Sequence, residues 1–475
     1  MSVLPPSSDM SGNVRELPST PNSTGPGYAV EGSEELKYTY SFVDNVFDEK
    51  KNDLASYYKS WGRVLCILDE NLDALYGKAI RSYFAAHGIK PTLHVFKGGE
   101  LNKNMTTMLD FVDAMDNFGL IRKEPVLVVG GGLASDVVGY ACASYRRSTN
   151  YIRVGTTLIA LIDAAISIKV GINHHGANGS KLKNRLGAYH APLHTFLDFD
   201  FLKTLPQGQT RNGFAEIMKI SHCAEKPTWD LLVKYGPQLV KTGFGRKLEE
   251  GGNAELKQAA DEICRRAILK MLQLESGNLH EIGLDRVIAS GHGISPTLEL
   301  APFPPLRHGH AITIDMSYTI IMSHSRGLLT DHERDEWFDL AQNVGLTVDH
   351  TDLDEGLLFR SIEAITKTRD GKQRFVLAGP YGKCMFANDI SDIEFRDILA
   401  KHKGYVQSRY PETKGAGQDA YADAGDLGAD PEALKREKEA AATANSNGSS
   451  SSKLTPAPKE IWTPGSAPAA KAVAA

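Results

Sequence analysis

The chain has 475 residues, 41% hydrophobic and 23% charged, with a formal net charge of −5. That length suits two domains plus some unfolded sequence, and the nearly balanced charge gives no general reason to expect nucleic acid or an anionic membrane as partner. The five cysteines (Cys66, Cys142, Cys223, Cys264, Cys384) are scattered, odd in number and without a CxxC pair, which reads as reduced thiols in a cytoplasmic protein; no signal-peptide core opens the chain and no apolar run nears the ~20 residues of a membrane span.

Residues 1–35 are rich in Ser, Pro, Gly and Asn without hydrophobic period, and read as disordered. Arg63–Leu68 is a short apolar run followed by Asp69. Leu75–His87 has helical spacing, Thr92–Phe96 is strand-like and runs into a glycine loop with Glu100 and Lys103, and Thr106–Phe118 is again helical. Val126–Val129 is an apolar strand that breaks into Gly130, Gly131 and Gly132 before a helix carrying Asp136. This β-α-β-α order predicts an α/β fold: a Rossmann-like parallel-sheet domain over residues 36–200. After about Phe201 the period turns helical (Ala215–Ala224, Trp229–Tyr235, Ala254–Leu274, Ser295–Ala301, Ala311–Ser325, Asp331–Val344), giving a mostly α-helical domain over 201–408 and a cleft between the two as the default site. Residues 409–475 turn to Gly, Ala, Asp, Ser and Pro and read as a disordered tail, with a short charged helix near Pro431–Ala442.

The glycine turn Gly130–Asp136 is either a phosphate cradle or a plain tight turn, since it is not GxGxxG. Asp163 and Lys169 lie in the apolar stretch Gly155–Lys169, where charges must be paired or used. The basic run with Lys183, Asn184 and Arg185 follows directly, and reads as a solvated loop or an anion contact. Glu216 and Lys219 are three apart on one helical face, flanked by Phe214, Ile217, Met218 and Ile220. His292, His308 and His310 each stand at the start of a helix. One carboxylate with two or three histidines suits a divalent metal with an open position, although ligands this far apart leave no local signature.

Taken together, the blocks PVLVVGGGLASDVVGYACASYRR, VGTTLIALIDAAISIKVGIN, KNRLGAYHAP, FLKTLP, RNGFAEIMK and HGHAITIDM resemble, in order, the sugar phosphate cyclase superfamily, whose best-known member is 3-dehydroquinate synthase. The resemblance covers about residues 38–405. It implies metal ligands Glu216, His292 and His308 for Zn²⁺ or Co²⁺. It implies NAD+ contacts at Asp69, Glu100, Lys103, Gly130, Gly131, Gly132, Asp136, Thr156, Thr157, Phe201 and Thr204. It gives catalytic or substrate roles to Asp163, Lys169, Lys219, Lys270 and Glu281, and phosphate or substrate contacts to Lys169, Lys183, Asn184 and His310. Arg147 matches an arginine that the family supplies from a neighbouring subunit, which implies a homodimer.

Where dehydroquinate synthases carry NxGHxxGH, this chain has Ala289 and Pro296 in place of the asparagine and the second histidine, and Asp285 stands where an arginine is expected. Those positions meet a substrate carboxylate, so their loss implies a substrate without one. GHxxSPxLE, NRLGAYHAP and NLHE resemble the branch that uses sedoheptulose 7-phosphate. His310 favours its gadusol-forming members over the valiolone-forming ones, with a metal-dependent polyol dehydrogenase as the remote alternative. The implied route is transient oxidation by NAD+, β-elimination of phosphate, reduction, ring opening, aldol closure and loss of water.

Overall fold

The computed structural model describes residues 12–175 and 181–446; the reading of residues 1–11 and 447–475 as disordered lies outside them. Residues up to Thr39 form one unit. In it, β1 (Gly12–Leu17) pairs antiparallel with β2 (Gly27–Gly32), so most of the stretch expected to be disordered is a hairpin. Val14, Tyr28 and Val30 are 63–74% exposed. Backbone pairing without an apolar face is what a hydrophobic pattern cannot show.

From Tyr40 the chain forms a second unit. Its strands β3 (Thr39–Val43), β4 (Arg63–Asp69), β5 (Lys90–Phe96), β6 (Val126–Gly130), β7 (Tyr151–Gly155) and β10 (His194–Asp198) make a six-stranded sheet in the order β3-β10-β7-β6-β4-β5. The pairs from β10 through β5 are parallel. Side chains alternate across the sheet: Val64, Cys66 and Leu68 of β4 enter one apolar cluster, Leu65 and Ile67 the other. Burial on both faces is why these strands read as unbroken apolar runs. Helices α1 (Asp53–Ser56), α2 (Glu70–Ala86), α3 (Met105–Phe118) and α4 (Gly132–Ser144) connect them. Between β7 and β10 a hairpin of β8 (Lys169–His175) and β9 (Lys181–Tyr189) intervenes. The basic run expected as a loop is therefore a strand.

The second half is helical, as expected: α5 (Gln207–Ala224), α6 (Lys226–Lys241), α7 (Ala254–Glu275), α8 (Ser295–Leu298), α9 (His308–Ser325), α10 (Asp331–Asn343), α11 (Glu355–Thr368) and α12 (Asp392–Arg409), with a small hairpin of β11 (Phe375–Ala378) and β12 (Cys384–Ala387). Helices α5 and α9 run through its core, nearly every residue buried. Their closeness to the sheet half is set by Gly213, where a Cβ would lie 2.4 Å from Leu158 Cγ and 2.6 Å from the Ile159 backbone nitrogen.

Beyond α12 the chain departs from the expected disorder. The Val348 N–H donates to the Gly415 carbonyl and the Gln418 N–H to that of Gly345. Helices α13 (Ala424–Leu427) and α14 (Pro431–Ser446) follow, and Ala422, Leu427 and Leu434 bury a small cluster with Leu101. Acidic side chains paired with arginines hold this segment together with that cluster: Asp419 pairs with buried Arg211, and Asp423 and Asp426 with Arg307.

Candidate active site

The connections part between β4 and β6: the chain moves from β4 to β5 on one side, then to β6 on the other. A crevice opens beyond the carboxyl ends of two such strands and is the usual seat of a nucleotide in this architecture. Asp69 ends β4 and Gly130 ends β6. Asp69 caps α2, its Oδ1 accepting from the N–H groups of Asn71 and Leu72 at 2.9 and 3.1 Å. At the other wall a Cβ on Gly131 would lie 3.0 Å from Thr157 Cγ2, so only bare backbone passes. No side chain caps α4. Its first N–H groups therefore face the crevice with the positive end of the helix dipole behind them, a site for phosphate. Thr156 is buried and donates its N–H to the Gly130 carbonyl at 3.0 Å. Thr204 Oγ1 lies 2.8 Å from the Tyr76 hydroxyl, and the Tyr76 ring meets buried Phe201 edge-on at 4.9 Å.

Lys103, 5% exposed, donates to Asp136 Oδ2 and to Asn184 Oδ1, both at 2.6 Å. Asn173 locks this corner: its amide donates to Glu100 at 2.8 Å and its carbonyl oxygen accepts the Asn184 N–H at 2.9 Å. Asn184, at φ +49°, is thereby turned with its carbonyl oxygen toward Lys103, leaving its amide N–H groups for another acceptor.

Glu216, His292 and His308 meet with ligand atoms all within 4.8 Å of one another. They come from the middle of α5, the loop before α8 and the first residue of α9. Both imidazoles are held by Nδ1: His292 against the Ser290 carbonyl at 3.0 Å and His308 against Glu299 Oε2 at 3.0 Å. His308 Nε2 faces Glu216 Oε1 at 3.2 Å. Anchored Nδ1 and inward Nε2 is the arrangement metal-binding histidines adopt. The donor set of one carboxylate and two imidazoles therefore fits a divalent ion with an open position. The His292 loop is itself pinned. Arg369 donates to the His292 carbonyl at 2.9 Å, and Asp315 accepts the N–H groups of Ile294 and Ser295 at 2.6 and 2.8 Å.

Charge around this cluster is arranged in pairs. Lys219, fully buried, is ion-paired to Glu216. Burial works against the Glu216 carboxylate, but Lys219 and then His308 outweigh it and hold its pKa far below the usual range. Burial likewise opposes charge on His308, yet Glu299 and Glu216 lift it to about 9; His292 is pushed down to about 3 by burial and Lys219. Lys183 donates to Glu299 Oε1 at 2.5 Å. Lys169 meets Glu275 and Glu281 at 3.2 Å each, and Arg286 is ion-paired to the same Glu281. Asp163 sits in a single π turn, Ala160–Ala164; burial raises its pKa while Lys219 pulls it back.

Three expected residues stand apart. His310 does not line the cleft: it is fully buried, its Nδ1 accepts the Thr347 N–H at 3.2 Å, and burial pushes its pKa down to about 3. One residue past Gly309 the α9 helix turns its side chain toward Thr347. Lys270, on α7, is half-buried and has no hydrogen bond or ion pair among the described residues. Arg147 is exposed and unpaired among the described residues, in a run of left-handed backbone (Arg146, Arg147 and Ser148 at φ +52°, +65° and +142°) that L-residues adopt only when their surroundings impose it. Sequence reasoning missed Glu299, Glu275, Asn173, Tyr76 and Arg286. Glu299 closes the GHxxSPxLE block, and its spacing from Ser295 places it one turn on, but nothing local reveals that its partners are Lys183 and His308.

Family models describe residues 93–212 as the N-terminal and residues 213–368 as the C-terminal domain of 3-dehydroquinate synthase. The chain belongs to the 3-dehydroquinate synthase family, within the sugar phosphate cyclases. This cyclase is 48% identical to demethyl-4-deoxygadusol synthase of Trichormus variabilis, over 83% of its own length and 94% of the relative's. It shares 35% identity and a TM-score of 0.73 with the structure of 2-epi-5-epi-valiolone synthase from Streptomyces hygroscopicus, solved with NAD+ and Zn²⁺ bound, covering 79% of this chain and 99% of that one. The fold is also that of 2-deoxy-scyllo-inosose synthase complexed with carbaglucose-6-phosphate, NAD+ and Co²⁺ (TM-score 0.62, 19% identity, 82% and 99% covered). Among the described residues no helix is long and apolar enough to cross a membrane.

Proposed function

We propose that this cyclase converts sedoheptulose 7-phosphate to demethyl-4-deoxygadusol with release of phosphate, as a homodimer that uses NAD+ and Zn²⁺ or Co²⁺. The observation that carries the reading is the ring of lysines, Lys169, Lys183 and Lys219, around the Glu216–His292–His308 triad. A polyol dehydrogenase needs no such cations, whereas a phosphorylated sugar does. Loss of the carboxylate-reading positions agrees: Ala289 is buried, Pro296 is exposed at the start of α8, and Asp285 is drawn to Arg374 at 2.5 Å.

When bound, NAD+ supplies a reversible hydride acceptor and the divalent ion a Lewis acid. Glu216, His292 and His308 would hold the ion. The crevice at Asp69, Gly130–Gly132, Thr156, Thr157, Phe201 and Thr204, with Glu100, Lys103 and Asp136, would hold the dinucleotide. An ammonium has three donors. Lys183 spends one on Glu299 and Lys169 two on Glu275 and Glu281, so both retain an N–H for phosphate oxygens beside the Asn184 amide. Asp163, with its pKa raised by burial, is better suited than an ordinary carboxylate to take and return a hydroxyl proton. Lys219, kept charged beside Glu216, orients the neighbouring hydroxyls. Arg147, with no partner among the described residues of its own chain, would complete the phosphate site of the second subunit.

The test is incubation of the purified protein with sedoheptulose 7-phosphate, NAD+ and Zn²⁺ or Co²⁺. Phosphate release with a new ultraviolet band of a conjugated enol-ketone is the expected result. Phosphate release without that band gives valiolone formation instead. Net NADH formation from a polyol, or no phosphate release, overturns the proposal.

A further inference from the structure

The segment after α12 does more than cover surface. Arg307 immediately precedes His308 on α9, and its guanidinium packs over the first turn of α5, where a Cβ on Gly208 would lie 2.9 Å from Arg307 Nη1. Three groups of the segment grip that guanidinium: Asp426 Oδ2 at Nε (2.8 Å), Asp423 Oδ2 at Nη2 (2.7 Å) and the Asp419 carbonyl at Nη1 (2.6 Å). The other oxygen of Asp426 accepts from Gln209, in the first turn of α5. One carboxylate thus ties together the amino-terminal ends of the two helices that carry Glu216 and His308.

Two residues further, Gly428 (φ +68°) is pressed against the turn at Gly98 and Gly99 (φ +96°): a Cβ on Gly428 would lie 2.2 Å from the Gly98 carbonyl oxygen, and one on Gly99 2.0 Å from the Gly428 nitrogen. That turn leads directly into Glu100 and Lys103, and a Cβ on Gly98 would lie 3.4 Å from Asp69 Cβ. Leu427 and Leu434 clamp Leu101 from the same side.

We infer that residues 419–434 are a strap that couples the metal triad to the nucleotide crevice, with Asp426 the positioning residue at one end and Gly428 the backbone contact at the other. The inference rests on the reading of the cleft as a metal and NAD+ site, and not on the identity of the sugar. Fixing either end of the strap lowers the ordering cost of the other, so metal and NAD+ each tighten the other's binding.

The experiment compares wild type with Asp426→Ala and Gly428→Ala. Zn²⁺ affinity is measured by chelator competition with and without NAD+, NAD+ affinity by calorimetry with and without Zn²⁺, and ligand geometry by the visible absorption of the Co²⁺-loaded protein. In wild type each ligand tightens the other about five-fold or more, within the usual range of coupling between sites. Asp426→Ala weakens Zn²⁺ by about ten-fold and shifts the cobalt bands; Gly428→Ala weakens NAD+ while leaving those bands in place; both abolish the mutual tightening. Asp426→Glu restores the coupling in part. Should Asp426→Ala fail to fold, Asp426→Asn and Arg307→Lys carry the same comparison. Variants that lose thermal stability yet keep wild-type affinities, cobalt spectrum and coupling overturn the inference. A wild type that binds neither Zn²⁺ nor NAD+ overturns the reading of the cleft instead.

Discussion

Glu299 is the side chain whose removal tests the electrostatics of the site most directly. It is nearly buried and serves two donors at once, accepting from Lys183 at 2.5 Å and from His308 Nδ1 at 3.0 Å. Glu299→Gln preserves shape, and its amide oxygen still accepts from one partner, but the negative charge is gone. A hydrogen bond to a charged group contributes roughly 1.5–3 kcal/mol, and a partner that orients a ligating histidine is worth about 10–100-fold in metal affinity. Glu299→Gln should therefore weaken Zn²⁺ about ten-fold. Glu299→Ala, which leaves Lys183 and His308 without their shared carboxylate, should approach 100-fold and also destabilise the metal-free protein by about 3–5 kcal/mol, the cost of breaking a buried pair. Chelator competition and urea unfolding of the same preparations give both numbers. Wild-type zinc affinity in both variants would falsify the claim that Glu299 holds His308 in place by its Nδ1.

Gly213→Ala should destabilise by roughly 1–3 kcal/mol, because its Cβ would meet Leu158 and the Ile159 backbone where α5 crosses the π turn; a denaturation midpoint equal to wild type would refute this. Gly131→Val should lower the melting temperature modestly and reduce NAD+ binding in calorimetry, since its Cβ would already lie 3.0 Å from Thr157 Cγ2 in the cradle; wild-type NAD+ affinity would refute the cradle. His222 is fully buried against Trp229 and Tyr381, and burial pushes its pKa down to about 3. Between pH 6.5 and about 3 the unfolded state binds a proton that the folded state refuses. Stability therefore falls as pH falls through that window, by up to ~1.4 kcal/mol per pH unit for this one group. His222→Phe should flatten the acid limb of a stability–pH curve; an unchanged slope would sink the assignment. Finally, Arg147→Ala and Glu216→Ala, each inactive alone, should regain up to about a quarter of wild-type activity when mixed and refolded together, as a dimer that shares arginines across its interface requires; no recovery would argue that each subunit works alone.

Three strands of the sheet, β4, β5 and β6, were legible as short apolar runs, β4 closed by Asp69 and β6 by glycines; β3, β7 and β10 of the same sheet were not singled out. The candidate metal triad was suggested by residue type and singled out as Glu216, His292 and His308 through the resemblance, since these residues come from α5, a loop and α9 and share no spacing. Glu299 and Glu275 were illegible because their role lies in what they face across the fold, Lys183 with His308 and Lys169. His310 shows how far sequence adjacency to a candidate ligand is from adjacency in space: two residues past His308 on a helix is most of the way round to the opposite face, and its Nδ1 meets Thr347. The hairpin β1–β2 and the strap lack apolar periodicity, so their order rests on backbone pairing and on Arg211 and Arg307, both distant in sequence.

The lysines of the cleft have a consequence for turnover. Each already faces a carboxylate: Lys103 on Asp136, Lys169 on Glu275 and Glu281, Lys183 on Glu299, Lys219 on Glu216. The cleft is thus an internal salt, with each of these ammonium groups held in place by a carboxylate. If phosphate is the group they receive, it would find donors in place and little to rearrange, while the nearby acids would keep the site from becoming a deep well for anions. On the proposed function, such a cleft would take a phosphate ester by geometry and still let inorganic phosphate leave.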